Sequence, residues 1–239
     1  MGNYKRVVLK MSGEALASAS SDEVLDAGVV ERFAREICDA RAELDIELAV
    51  VVGGGNIWRG TIGAGAGMDR ATSDTMGMLA TVINALALQD ALEQNGQDTR
   101  VLTAISMAEV AEPYIRRRAI RHLEKGRVAL LAAGMGNPYF TTDTSAALRA
   151  AEIEADILYK GTHGGVDGVY SADPRLDPSA TRFEEISFKE VVAKDLRVMD
   201  LTAITFCMDN DLPIRVFDLM PAGNLRRALS GERIGTLIR

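Results

Sequence analysis

Residues 49–60, AVVVGGGNIWRG, set the tightest limit on what this 239-residue chain can become. Ala49 and three valines run without alternation into Gly53, Gly54 and Gly55, and Asn56 and Arg59 follow. An unbroken apolar run of this kind suits a strand buried on both faces, as in parallel sheets covered by helices. Glycines at its end let bare backbone N–H groups approach a phosphate and tolerate φ > 0. An arginine beside them adds a planar fork of donors that matches phosphate oxygens. Taken alone, the glycines are equally well explained as an ordinary turn.

The pattern recurs. Apolar runs at 6–11, 47–52, 100–104, 128–133, 156–159 and 214–217 read as strands, and segments of helical spacing alternate with them. In 27–44, Val30, Phe33, Ile37, Ala40 and Leu44 fall on one helix face. A long apolar helix is expected over 76–92, stopped by Asn95 and Gly96. Further helices are expected at 114–124, 144–154, 187–194 and 201–210, with Ser187 and Glu190 at capping-box spacing. Such alternation implies an α/β fold: a three-layer α/β/α sandwich around a mostly parallel central sheet. No repeat or Pro/Ser-rich linker interrupts it, so one continuous domain over 1–239 is expected. Residues 161–178, GTHGGVDGVYSADPRLDP, form the one long loop, with a short hairpin expected at 166–170.

Composition excludes several classes. A net charge of −7 argues against a general nucleic-acid binder but leaves room for small phosphorylated ligands. The two cysteines, Cys38 and Cys207, show no CxxC spacing and read as buried thiols of a reducing cytoplasm. With only His122 and His163, a His-rich metal site or a Ser/His triad is not expected. The start of the chain does not read as a secretory signal, and no uninterrupted apolar stretch is long enough to suggest a membrane span.

Four segments after expected strands carry phosphate-handling groups. The first is Lys10, Met11, Ser12 and Gly13; the second is the triple glycine with Arg59. The third is AGMGNPYFTTD at 133–143, which ends in Thr141, Thr142 and Asp143 before a helix. The fourth runs from Lys160 to Asp173 and includes Tyr170. A snorkelling lysine explains Lys10 alone, and helix capping explains Thr142, Asp143 or Asp200 alone. Four such segments at strand ends favour a phosphorylated ligand at the carboxyl edge of the sheet. No GxxxxGK[ST] exists, no GxGxxG follows a strand, and GxSxG is missing, so P-loop, dinucleotide and hydrolase-elbow readings lack support. Scattered glycine loops with Lys and Arg suit phosphoryl transfer, where positioning and charge neutralisation dominate. Asp143 and Asp200 are then candidates to orient the lysines or help hold magnesium.

Six segments in this order, LKMSGEAL, VVVGGGNIWRG, SDTMGMLATVINALAL, AAGMGNPYFTTDT, VDGVYSADPR and LRVMDLTAITFCMDNDLPIRVF, resemble the amino acid kinase family, in its bacterial uridylate kinase branch. The resemblance runs from Tyr4 to Ile238 and implies one domain whose N-terminal part binds mainly the acceptor and whose C-terminal part binds mainly ATP. It implies the reaction ATP + UMP → ADP + UDP in pyrimidine nucleotide biosynthesis, with Mg²⁺ held mainly by the ATP phosphates. Lys10, Met11, Ser12 and Gly13 match the ATP phosphate loop, and Gly55 and Arg59 lie nearer the donor phosphates. Gly54 lies nearer the acceptor, and Asp74 matches a contact to the UMP ribose. Met135, Gly136, Asn137, Pro138, Tyr139, Phe140, Thr141 and Thr142 match the segment around UMP, while Thr162, Tyr170 and Asp173 match the ATP loop. Lys10, Arg59, Asp143 and Asp200 would carry the transfer.

A cytoplasmic homohexamer, inhibition by UTP and a GTP effector are further implications; nucleic acid and membrane are not partners. Three departures stand out. ASASSDEVLD at 17–26 replaces a Gly-rich segment linked to GTP regulation, Met135 replaces a common threonine, and the ATP loop carries an insertion around 163–165. Family kinases that act on carboxylates or carbamate lack the GNPYFTTD segment. A non-catalytic nucleotide binder on the same scaffold has no need of Lys10, Arg59 and both aspartates.

Overall fold

In the computed structural model, residues 4–18 and 23–239 are described. The apolar runs form strands: β1 (Arg6–Met11), β2 (Glu47–Val52), β3 (Thr99–Thr103), β4 (Glu112–Pro113), β5 (Val128–Ala132), β6 (Ile157–Thr162), β7 (Glu185–Ile186), β8 (Ile214–Asp218) and β9 (Thr236–Ile238). The helices are α1 (Ala27–Glu43), α2 (Gly60–Gly65), α3 (Arg70–Gln94), α4 (Arg116–Glu124), α5 (Thr142–Glu152), α6 (Phe188–Ala193), α7 (Leu201–Asp209) and α8 (Asn224–Leu229). A tight turn, Gly13–Leu16, follows β1.

The strands form one sheet in the order β4-β3-β5-β2-β1-β6-β8-β9-β7, in which only the β8–β9 pair is antiparallel. Unbroken apolar sequence puts β1 in the middle, because Val7, Val8 and Leu9 are fully buried and both faces of the strand are covered. One face carries Val7, Leu9, Leu48 and Tyr159 with Phe33, Leu88 and Leu92 of α1 and α3. The other carries Val8, Val51 and Leu158 with Ala147 and Ala203 of α5 and α7. Each fully buried large side chain contributes roughly 1.5–3 kcal/mol. The result is the expected three-layer α/β arrangement. Its parallel strands bring the ends of β1, β2, β5, β6 and β8 to one edge.

Several local expectations are corrected. Helix α3 starts at Arg70, not at 76, because Asp69 caps it by accepting the Thr72 N–H at 2.8 Å. Asp74 therefore sits inside the helix. The hairpin at 166–170 does not form; Tyr170 instead makes an isolated antiparallel bridge to Arg182. Helix α2, the Gly-rich GTIGAG, packs on α3 against its own propensity. The short strands β4, β7 and β9 carry too little sequence pattern to be seen in advance.

Helix α3 is long and apolar enough to cross a membrane by length and composition. Its surroundings are those of a core helix: Ser73, Thr81 and Asn84 are buried on it, and it packs against α1, α2 and β3. Asn84 donates to Gly53 O at 2.8 Å and to Asn56 Oδ1 at 2.7 Å, which fixes the loop after β2. Replacing it by alanine strands a buried carbonyl and an amide, so Asn84→Ala should lower stability by about 1–3 kcal/mol. Urea denaturation reads this, and a loss near zero would mean the loop holds itself.

Candidate active site

The centre of the site is a single carboxylate between two lysines. Lys10 on β1 and Lys160 on β6 are register partners in the sheet, so their side chains leave the same face side by side. Asp143 lies in the first turn of α5, where a helix N-terminus favours negative charge. Its Oδ1 accepts Lys10 Nζ at 2.9 Å and also pairs closely with Lys160 Nζ. All three side chains are nearly buried.

Burial pushes the Asp143 carboxyl up, but the two ammonium charges override it and hold it at about 2. For Lys160, burial and the Lys10 charge outweigh Asp143 and bring it down to about 8. Lys10 goes the other way: burial lowers it, and Asp143 more than compensates. The cluster carries one surplus positive charge in a dry place, which suits a developing phosphoryl charge.

Helix α5 is in turn held by its cap. The Thr141 hydroxyl accepts the Asp143 N–H at 3.1 Å and donates to Asp200. Asp200 caps α7 through the Ala203 N–H at 2.8 Å and accepts Thr144 Oγ1 at 3.0 Å. Asp200 thus braces two helix starts and makes no ion pair with either lysine.

The glycine loops interlock. None of Gly13, Gly53, Gly54 or Gly55 has positive φ, so left-handed backbone is not why they are glycine. The reason is close approach. A Cβ on Gly53 would lie 2.7 Å from Gly13 N, and one on Gly54 would lie 2.8 Å from Gly77 O of α3. Glu14, which the sequence did not single out, enters this loop. Its carboxylate pairs closely with Arg59 and the Ser12 hydroxyl. Burial raises the Glu14 pKa, and the Ser12 hydroxyl and Arg59 bring it below its ordinary value.

Two cavities flank this centre. One, of about 320 Å³, is lined by Gly54, Gly55, Arg59, Asp74, Met135, Asn137, Phe140, Thr141 and Thr142, with Trp58 and Arg70. Asp74 Oδ2 accepts Arg70 Nε at 2.8 Å and the Tyr139 N–H at 2.9 Å. That second bond holds Tyr139 at φ 71, a left-handed conformation rare for an aromatic residue. Gly136, Pro138 and Tyr139 belong to this segment without lining the cavity.

The other cavity, of about 530 Å³, is lined by Ser12, Lys160, Thr162, His163, Tyr170 and Asp173, and by the segment 194–198. Gly55 and Arg59 line the first cavity, not this one, although they were expected nearer the donor. Met11 is fully buried in the core and offers the site only backbone. The Thr162 hydroxyl is spent on backbone carbonyls, including Phe217 O at 3.0 Å. In the insertion at 163–165, Gly164 and Gly165 take φ near 80, and Arg175 braces Gly164 O at 3.2 Å. Of the segment 17–26, residues 19–22 lie outside the described residues.

A buried lysine–aspartate–lysine cluster on the carboxyl edge of a parallel sheet, with one cavity lined by Lys160 and another by Thr141 and Thr142 beside Asp143, defines a phosphate-handling α/β protein with room for two ligands. The chain belongs to the amino acid kinase family, whose model matches residues 5–218. It is similar to a UMP kinase from Bacillus anthracis, at 38% identity and TM-score 0.94, over 100% of this chain and 97% of that one. It is similar to a UMP kinase from Ureaplasma parvum at 36% identity and TM-score 0.92, over 98% of each chain. A uridylate kinase from Archaeoglobus fulgidus matches at 28% identity and TM-score 0.73, over 98% of this chain and 99% of that one.

The cluster makes stability depend on pH. Because the folded Asp143 carboxyl sits at about 2, below its ordinary 3.8, its contribution is complete above the ordinary value. It fades as pH falls through about 2, and the shift is worth about 2 kcal/mol. Asp143→Asn should therefore lose about 3–5 kcal/mol near neutral pH by leaving two buried ammonium groups unpaired. In urea titrations the gap to the parent chain should narrow by about 2 kcal/mol in strong acid. An equal gap at pH 7 and pH 2 would contradict the ion-pair account.

Proposed function

We propose that the protein is a UMP kinase, which transfers the γ-phosphoryl group of ATP to UMP and releases ADP and UDP. The observation that carries this reading is the buried Lys10–Asp143–Lys160 cluster, with Lys160 lining one cavity and Thr142, next to Asp143 in the chain, lining the other. Two similar solved structures are UMP kinases, at 36–38% identity over nearly the whole chain. UMP occupies the cavity beside Asp74 and the segment 135–142, and ATP occupies the one beside Tyr170 and Asp173. Apart from Ser12, the second cavity is lined from 160 onward, and the first by residues 54–142. This supports one domain whose N-terminal part serves the acceptor and whose C-terminal part serves the donor.

An oxygen of the UMP phosphate attacks the γ-phosphorus in line, and the bond to the β–γ bridging oxygen breaks with its electron pair on ADP. The attacking oxygen is already anionic, so no strong general base is needed. Lys10 and Lys160 stabilise the charge gathering on the transferred group, and Asp143 fixes their positions. Arg59 neutralises phosphate from the acceptor side and must exchange Glu14 for that partner. Backbone N–H groups of the interlocked loops hold the phosphates in place.

Mg²⁺ fits as an ion carried by the triphosphate. Among the described residues no three His, Cys, Asp or Glu gather to cage a metal, and Asp143 is committed to two ammonium groups. When bound, the ion neutralises donor phosphate charge. Base choice falls to Asn137 and backbone groups, because the Met135 thioether donates no hydrogen bond.

The same reading places the enzyme in the cytoplasm, in pyrimidine nucleotide synthesis, with UTP as an inhibitor that shares the uridine contacts of UMP. GTP as an effector has less support, since the segment 17–26 departs from the family pattern. A homohexamer built from dimers is supported by Leu79 and Ile83, one turn apart on α3 and 46% and 51% exposed.

Mg-ATP with UMP, CMP, dUMP, carbamate or N-acetylglutamate, followed by ADP release, tests the reaction. UMP should give the highest kcat/KM, and turnover confined to carbamate or N-acetylglutamate would overturn the assignment. Lys10→Ala and Arg59→Ala should each lower kcat by about 100-fold or more; wild-type turnover in both would remove those roles. Light scattering at micromolar concentration should give the mass of six chains, and Leu79→Glu with Ile83→Glu should reduce it. A monomeric parent chain would refute the assembly.

A further inference from the structure

A third cavity, of about 480 Å³, lies at the β8–β9 side of the sheet and shares no lining residue with the other two. Leu9, Tyr159, Arg215 and Leu237 stand side by side in register on β1, β6, β8 and β9. The connection from α8 to β9 passes over Arg215, whose Nη1 donates to Ile234 O at 2.9 Å. Arg215 is only 8% exposed, and among the described residues no carboxylate pairs with it. A buried guanidinium with a single neutral partner is an unfavourable arrangement, since burial penalises an uncompensated charge. Its register neighbour adds a second anomaly. Tyr159 is fully buried and its hydroxyl has no hydrogen-bond partner. Burial pushes that hydroxyl up to about 12, with Arg215 opposing, so at neutral pH it is an unused donor.

The rest of the lining repeats the sign. Arg182, Arg233 and Arg239 join Arg215, against Glu184 and Glu185. Arg239 is matched by Glu185 at 2.6 Å, and Arg182 by Asp167 at 2.9 Å. That leaves Arg215 and Arg233 facing Glu184. A concave space of this size, with surplus guanidinium groups, has the volume and chemistry of a small-molecule anion site. Guanidinium forks match phosphate oxygens.

We propose that this cavity binds a phosphate-bearing small anion, held by Arg215 and Arg233. Arg182 connects it to the loop of the larger cavity. Asp167, its partner, also accepts the Tyr170 hydroxyl at 2.6 Å, so an anion that draws on Arg182 acts directly beside Tyr170.

Calorimetric titration of the full chain with inorganic tripolyphosphate tests the site. A saturable component should appear that Arg233→Ala weakens at least tenfold and Arg59→Ala leaves unchanged. Arg215→Gln should abolish it, and Arg233→Ala, at an exposed position, carries the test even if the buried substitution impairs folding. CTP as a second titrant separates two sources: equal affinity assigns the cavity to a phosphate tail alone, and tighter binding of CTP assigns it to a whole nucleotide. No saturable component, or one that Arg233→Ala leaves intact, would overturn the proposal.

Discussion

Two ammonium groups on one carboxylate oxygen are the constraint around which the rest of the structure is arranged. Neighbouring strands place Lys10 and Lys160 about 5 Å apart in the sheet, a costly position for two like charges away from water. Asp143 makes it tolerable, and only because α5 begins where it does. Thr141 caps that helix, and Asp200 ties the cap to the start of α7. An electrostatic requirement at the sheet centre thus sets the placement of two helices on one side. In the kinase reading proposed above, the same lysines would exchange part of their mutual repulsion for phosphate oxygens.

The two cavities at the carboxyl edge are built from different parts of the chain. Residues after β2 and β5 form the smaller one, and those after β6 and before β8 form the larger. Parallel strands make this division natural, because each successive crossover returns its loop to the same edge. The antiparallel β9 breaks the pattern and places its turn over Arg215, away from that edge. The third cavity is a product of this one reversal.

Much of the frame was legible in the sequence because its strands are apolar on both faces. The runs at 6–11 and 47–52 coincide with β1 and β2, and Asp143, Thr141 and Arg59 lie where strand-end chemistry puts them. Lys160 belonged to a segment already suspect, yet a lysine at a strand end looks the same whether it snorkels or points inward. Its role depends on register with Lys10, which is a property of the sheet and not of either strand. Glu14 and Asn84 escaped for a similar reason: their partners are 45 and 28 residues away. The triple glycine was found for a partly wrong reason. Backbone freedom is not used at Gly53 or Gly54; absence of a side chain is.

That interlock between Gly13 and Gly53 gives the reaction chamber one hard wall. Two loops that fit only without side chains, with Asn84 clamped beneath, cannot yield to incoming nucleotides. The opposite walls are built by Asn137 and Phe140 in one cavity and by the segment 170–175 in the other. Two substrates seated on either side of the interlock would then have the distance between their phosphates set by this one wall.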